Sequence, residues 1–116
     1  MSRLKNENIM ISIDDFKKLN IVVGTIESVE DIEGSEKLYK FQVNMGNETR
    51  QILGGLKFSY QKEELLDKQV LVLKNLEPRK MMGLESQGMI LAANDENDKP
   101  AIVQPLKKVQ NGSIIK

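Results

Sequence analysis

Hydrophobic side chains return along this chain at strand spacing more often than at helix spacing. Tyr39, Phe41, Val43 and Met45 alternate strictly with Lys40, Gln42 and Asn44, which predicts a strand with one buried and one wet face. Ahead of it, Ile21 to Val29 is rich in β-branched residues and predicts a long strand with apolar positions at 21, 23, 26 and 29. The spacing slips from two to three at Gly24, which predicts a β-bulge or sharp coil there. Gly46-Asn47 predicts a tight hairpin into a third strand, Thr49 to Leu53, which Gly54-Gly55 ends. A fourth strand is expected from Gln69 to Asn75 and a fifth, buried one from Met89 to Ala93, with short apolar strands at Ala101-Ile102-Val103 and Ser113-Ile114-Ile115.

Helical patterning is confined to two short segments. Ser12 can cap a helix whose first turn carries Asp14 and Asp15 and whose last carries Lys17 and Lys18, matching the helix dipole at both ends. Ile13, Phe16 and Leu19 would share one face, so this helix is expected to plug an end of the core. Glu63-Glu64-Leu65-Leu66, within the segment from Lys57 to Asp67, predicts one or two further turns. Residues 1–11 read as a flexible arm with Ile9 and Ile11 available to dock on the body, and residues 12–116 as one domain. Five strands with a helix between the third and fourth is the order of an OB-fold: an all-β, five-stranded barrel with short helices and a C-terminal strand extension.

Composition removes most reaction chemistry. The chain has no cysteine, hence no disulfide, thiolate nucleophile or zinc knuckle. It has no histidine either, which removes the commonest general base and transition-metal ligand. Glu30-Asp31-x-Glu33 and Asp95-Glu96-x-Asp98 read as solvated turns. A non-catalytic protein follows as the expectation, with no catalytic residue, metal site or cofactor. The chain contains neither an apolar run of roughly 20 residues nor a secretory signal pattern, so a cytoplasmic protein without a membrane is expected.

Charge sets a further condition. Seventeen basic side chains balance seventeen acidic ones, which argues against indiscriminate phosphate binding. A binding face has to be made by folding, by bringing Lys37, Lys40, Arg50, Lys57, Lys74, Arg79 and Lys80 together. Aromatic residues amount to 4%, too few for a stacking platform, so a nucleic-acid ligand would be recognised by duplex shape rather than as a single strand. Tyr39 could stack a base, but its place in the alternating row favours the core.

The candidate chemistry is densest from Asn75 to Ala93, NLEPRKMMGLESQGMILAA. It reads as a loop between two buried strands. Pro78 fixes φ ahead of Arg79 and Lys80, which could hold phosphate through a fork and a point charge. Ser86 offers a hydroxyl and Gln87 an amide, while Met89 suits either the core or contact with a ribose or base. Lys37 follows the Gly34-Ser35 turn as a further phosphate contact, and Lys40, Arg50, Lys74 and Asn75 complete the candidate binding set.

Asn75-Leu76-x-Pro78-Arg79-Lys80-x-x-Gly83-x-x-Ser86-x-Gly88-Met89 closely resembles the tRNA-binding domain found in free-standing tRNA-binding dimers, in many methionyl-tRNA synthetases, in bacterial phenylalanyl-tRNA synthetase β chains and in the endothelial-monocyte-activating cytokine precursors. Asp15-Phe16-x-Lys18-Leu19, Val23-Gly24-x-Ile26, Gly34-Ser35-x-Lys37-Leu38, Arg50-Gln51-Ile52 and Gly55-Leu56 extend the resemblance over about residues 12 to 116. It implies binding to the outside corner of tRNA, mainly through backbone and shape, either alone or as an accessory to methionyl-tRNA synthetase. A homodimer joined through terminal segments is also implied. The CsaA chaperones look similar in size and fold, so binding of unfolded or exported polypeptide is the alternative, and a pure assembly scaffold a third reading. The chain departs from the family pattern at Asn20, Val22, Gly54 and Gln87. At Val22 it lacks a cation common in relatives, and an outward-facing Val22 would suit a subunit contact.

Overall fold

The computed structural model describes residues 9–116. Its frame is a five-stranded antiparallel sheet, formed by β1 (Ile21–Asp31), β2 (Tyr39–Asn44), β3 (Thr49–Gly54), β4 (Gln69–Leu73) and β7 (Met89–Ile90), in the order β3-β2-β1-β4-β7. The sheet curls into a nearly closed, OB-like barrel. Between β4 and β7 the chain forms a separate hairpin, β5 (Arg79–Met81) and β6 (Leu84–Ser86), and β8 (Ala92–Asn94) pairs with β9 (Pro100–Ile102) beyond it. Helices are short: α1 covers Ile13–Lys17 and α2 Lys62–Leu65. Among the described residues no helix is long and apolar enough to cross a membrane.

Alternation along β2 places Tyr39, Phe41 and Val43 inside, where they meet Val22, Ile26, Ile52, Leu56, Leu65, Val70 and Val72 in the main core. The rings of Tyr39 and Phe41 meet edge to face, with centroids 5.9 Å apart, the arrangement that aromatic quadrupoles favour. The irregularity of β1 falls between Ile26 and Ser28 rather than at Gly24. Gly24 serves a different need, close approach: a Cβ there would stand 2.7 Å from Val43 Cγ1 and 3.1 Å from the Asn44 carbonyl. The slip in apolar spacing was real, but the missing side chain reflects crowding across the barrel.

Several edges depart from the expected layout. β4 stops at Leu73, and the expected fifth strand is split between β7 and β8. The helix α1 has its expected capping box, in which the Ser12 hydroxyl accepts from Asp15 N–H at 3.1 Å and Asp15 reaches back to Ser12 N–H. It plugs nothing, however, because Ile13 is 66% and Leu19 45% exposed. Ile9 and Ile11 are likewise exposed rather than docked, and residues 1–8 of the expected arm lie outside the described residues. At the other end, residues 112–115 run along the first half of β1. Val23 and Ile115 donate to Ser113 and Ile21 carbonyls, and Gly112 donates to Val23. This covers an open strand edge and buries Val22 under a bridge to Ile114, so Val22 does not face outward.

Barrel closure between β3 and the segment after β6 is made largely by side chains. Gln87 N–H donates to the Gln51 carbonyl at 2.9 Å, while Leu53 N–H donates to the buried Ser86 hydroxyl at 3.0 Å, which in turn donates to the Gly88 carbonyl. Nearby, Arg50 Nε donates to Glu48 Oε1 at 2.8 Å, its Nη1 donates to the Lys74 carbonyl at 2.9 Å, and Lys74 Nζ lies 2.8 Å from Glu48 Oε2. One carboxylate thus ties β3 to the chain leaving β4. The Arg50 guanidinium, then Lys74, hold its pKa down from 4.5 to about 2.

Two outcomes follow. Ser86→Ala leaves the Leu53 N–H without its buried acceptor and should destabilise the fold by about 1–3 kcal/mol in urea unfolding; a loss under about 0.5 kcal/mol would remove Ser86 from barrel closure. The Glu48 carboxylate contributes stability that is whole above pH 4.5 and lost as pH falls toward 2. The difference in Tm between the protein and Glu48→Gln should therefore be constant above about pH 5 and shrink below pH 4.5; a gap unchanged at pH 3 would show that the ion pairs contribute nothing.

Candidate nucleic-acid interface

The stretch expected to be a loop is a built element. Arg79 pairs with Ser86, Lys80 with Glu85 and Met81 with Leu84. Met82 and Gly83 turn the chain with φ values of 54° and 76°, the positive pair that a two-residue type I′ hairpin requires. Glycine accepts this geometry readily, whereas methionine does so rarely, which is why the sequence did not announce a hairpin. The inner face of the hairpin packs on the barrel's outer surface. Ile32, Leu38 and Leu53 form a second apolar cluster against which Met81 and Leu84 lie, and Gln51 Nε2 donates to the Glu85 carbonyl at 2.9 Å. Met82 reaches farther, to the β1–β2 loop, where a Cβ on Gly34 would stand 3.2 Å from its Cε.

Burial of three aliphatic side chains contributes roughly 1.5–3 kcal/mol each, against about 0–1 for an exposed ion pair. Apolar contact therefore holds the hairpin beside the β1–β2 loop, and the cations are passengers on it. Side chains alternate along a strand, so Arg79 lies on the face of Met81 and Ser86 and Lys80 on the face of Glu85. The two adjacent cations do not present one common fork.

Placement of the expected site residues divides them. Arg79, Lys80 and Lys37 are exposed and, among the described residues, lie outside any ion pair. The wider convergence of cations does not occur. Lys40 pairs with Glu30 at 3.4 Å, Lys57 with Asp31 at 3.0 Å, and Arg50 and Lys74 share Glu48. Asp31 also meets Lys62 at 2.9 Å, so the acids expected in a solvated turn neutralise much of this face.

The remaining residues are partly spent on structure. Asn75 Oδ1 accepts from Asn20 N–H at 2.8 Å and its Nδ2 donates to the Lys18 carbonyl at 2.7 Å, clamping the exit of α1. Ser86 is 3% exposed and makes both of its hydrogen bonds inside the protein. Its hydroxyl does not face outward. Gln87 is exposed although its Oε1 reaches Gln51 N–H, at 3.3 Å. Met89, expected at the start of a buried strand, is 38% exposed and remains accessible at the hairpin's foot.

One residue of this surface had no place in the sequence reading. Phe58 is 69% exposed on the β3–α2 loop, in the segment read only as an approach to helix. The signal available was an aromatic outside any apolar period, flanked by Lys57 and Ser59. The loop joins the same surface because Lys57 N–H donates to the Lys37 carbonyl at 3.1 Å.

With this geometry, comparison with known proteins is informative. Residues 21–114 match the family described as "Putative tRNA binding domain". The chain is 50% identical over 107 residues to methionine–tRNA ligase of Methanococcoides burtonii, covering 91% of this chain and 16% of that protein. It thus spans about one-sixth of the length of that curated relative. Among solved structures, the MetRS-related protein of Pyrococcus horikoshii superposes with a TM-score of 0.87 at 34% identity, covering 92% of this chain and 98% of that one. The CsaA chaperone protein of Picrophilus torridus gives 0.84 at 26% identity, over 92% and 100%. With an OB-like barrel, a docked basic hairpin and a family match over most of its length, the chain belongs to the tRNA-binding-domain family, related to methionyl-tRNA synthetase and to CsaA.

Proposed function

We propose that the chain is a non-catalytic module that grips folded tRNA at its outside corner, chiefly through phosphate and shape. It acts alone or beside methionyl-tRNA synthetase in the cytoplasm. The observation that carries this reading is the apolar docking of the Arg79–Lys80 hairpin against the loop that bears Lys37. Three cations that make no ion pair among the described residues are thereby held on neighbouring supports, where phosphates along a bent backbone can meet them singly. Gln87 and Met89 at the hairpin's foot can contact sugar or base edges. Ser86 contributes through the barrel closure it maintains, and Lys40, Arg50, Lys74 and Asn75 through the frame.

The zero net charge and the ion pairs around Asp31 and Glu48 imply modest affinity for each site. A second copy of the chain would offset this by raising effective concentration. Support for a homodimer comes from exposed Ile13 and Leu19 near the start of β1 and from Ile114, 71% exposed, which bridges to Val22. A second reading, binding of unfolded polypeptide, is supported by the likeness to CsaA together with these exposed apolar side chains.

Titration with total tRNA at two salt concentrations separates the readings. Binding should weaken steeply with salt, and Arg79→Ala with Lys80→Ala should lower the slope of log K against log salt by about 2 while leaving Tm unchanged. Salt-insensitive capture of reduced, unfolded polypeptide with no tRNA affinity would favour the chaperone reading instead. Light scattering at micromolar protein should give twice the chain mass; a monomer mass would reject the dimer.

A further inference from the structure

Phe58 lies beside a surface cavity of about 350 Å³, lined by Tyr39, Lys57, Phe58, Ser59, Tyr60, Gln61 and Glu64. Single exposed rings are common on proteins, but this one is held on a rigid turn next to an open recess. Leu56 N–H donates to Gly54, and Ser59 and Tyr60 both donate to the Leu56 carbonyl. Tyr39 Oη donates to the Tyr60 carbonyl at 2.8 Å, and Ile102 N–H donates to Tyr60 Oη at 3.0 Å, which fixes the wall behind the ring. The backbone that carries the ring and the wall behind it are therefore already ordered before anything stacks there.

We propose that this cavity takes one unpaired nucleobase of the bound RNA, stacked on Phe58. This rests on the RNA-binding reading and names a subsite of it. Glu64 in the lining disfavours a phosphate inside the cavity but can accept from a base's exocyclic amine or ring N–H with the lone pairs left free by its bond from Gln61 N–H. The phosphates on either side of that base would run along the rim, where Lys37 adjoins Lys57 through their backbone hydrogen bond. A chain with few aromatics cannot build a stacking platform, yet one ring suffices for one base flipped from a folded RNA. Structured RNAs with unpaired corner nucleotides are thereby distinguished from uniform duplex.

The test uses the whole chain with total tRNA, with a blunt-ended RNA duplex, and with reduced carboxymethylated lactalbumin as an unfolded polypeptide. Phe58→Ala should weaken tRNA binding by about tenfold with the salt slope unchanged, Phe58→Trp should restore it, and duplex affinity should be the same for all three proteins. Because the ring is exposed, the variants should keep the parent Tm. If the parent protein binds tRNA and Phe58→Ala binds it equally well, the base subsite is wrong while the RNA reading stands; if the parent binds no tRNA, both fall. Loss of lactalbumin binding in Phe58→Ala with tRNA affinity intact would assign the cavity to peptide and overturn the proposal.

Discussion

Closing the barrel depends on satisfying the free edge of β3. A strand edge carries unpaired N–H and carbonyl groups, and β7 is too short to cover them: it pairs with β4 at only Val72 and Leu73. The chain solves this with Ser86 and Gln87, whose side chains accept from Leu53 and Gln51 N–H. The same bonds fix where β6 ends and therefore where the hairpin stands. A motif that looks like ligand chemistry in the sequence is, at Ser86, the hydrogen-bonding chemistry of the fold.

From that anchor the candidate interface follows by packing. Leu53 lies on the outer face of β3 and would be exposed without a cover; Met81 and Leu84 supply it, joined by Ile32 and Leu38 from the β1–β2 loop. The loop and hairpin are thereby one surface, and Lys37, Arg79 and Lys80 belong to it through their apolar neighbours. Glu48 and Asp31 do the reverse for the other cations, drawing Arg50, Lys74, Lys57 and Lys62 into the frame. Of the seven cations that the sequence offered to a common face, Lys37, Arg79 and Lys80 stay outside ion pairs among the described residues, which fits recognition by placement rather than by bulk charge.

Strict alternation from Tyr39 to Met45 and the β-branched run from Ile21 were legible because strand burial repeats every second residue whatever the partner is. The capping box at Ser12 was legible because it is local. The burial of α1 was not: its apolar face shows that something could cover Ile13 and Leu19, and only the fold shows that the barrel does not. The hairpin at residues 79–86 was missed because its turn uses Met82 in a backbone region methionine seldom occupies, sustained by contacts far away in sequence.

The sequence by itself determined the order of the barrel strands, the absence of cysteine and histidine chemistry, and the stretch in which the candidate chemistry concentrates. Those depend on composition, local spacing and a motif. Only the tertiary structure decided which cations are free, that Ser86 is spent inside, that Val22 is covered by Ile114, and that Phe58 shares a surface with Lys37. Each of these is a pairing between residues distant along the chain, and one sequence records which groups are available to pair without recording which of them meet.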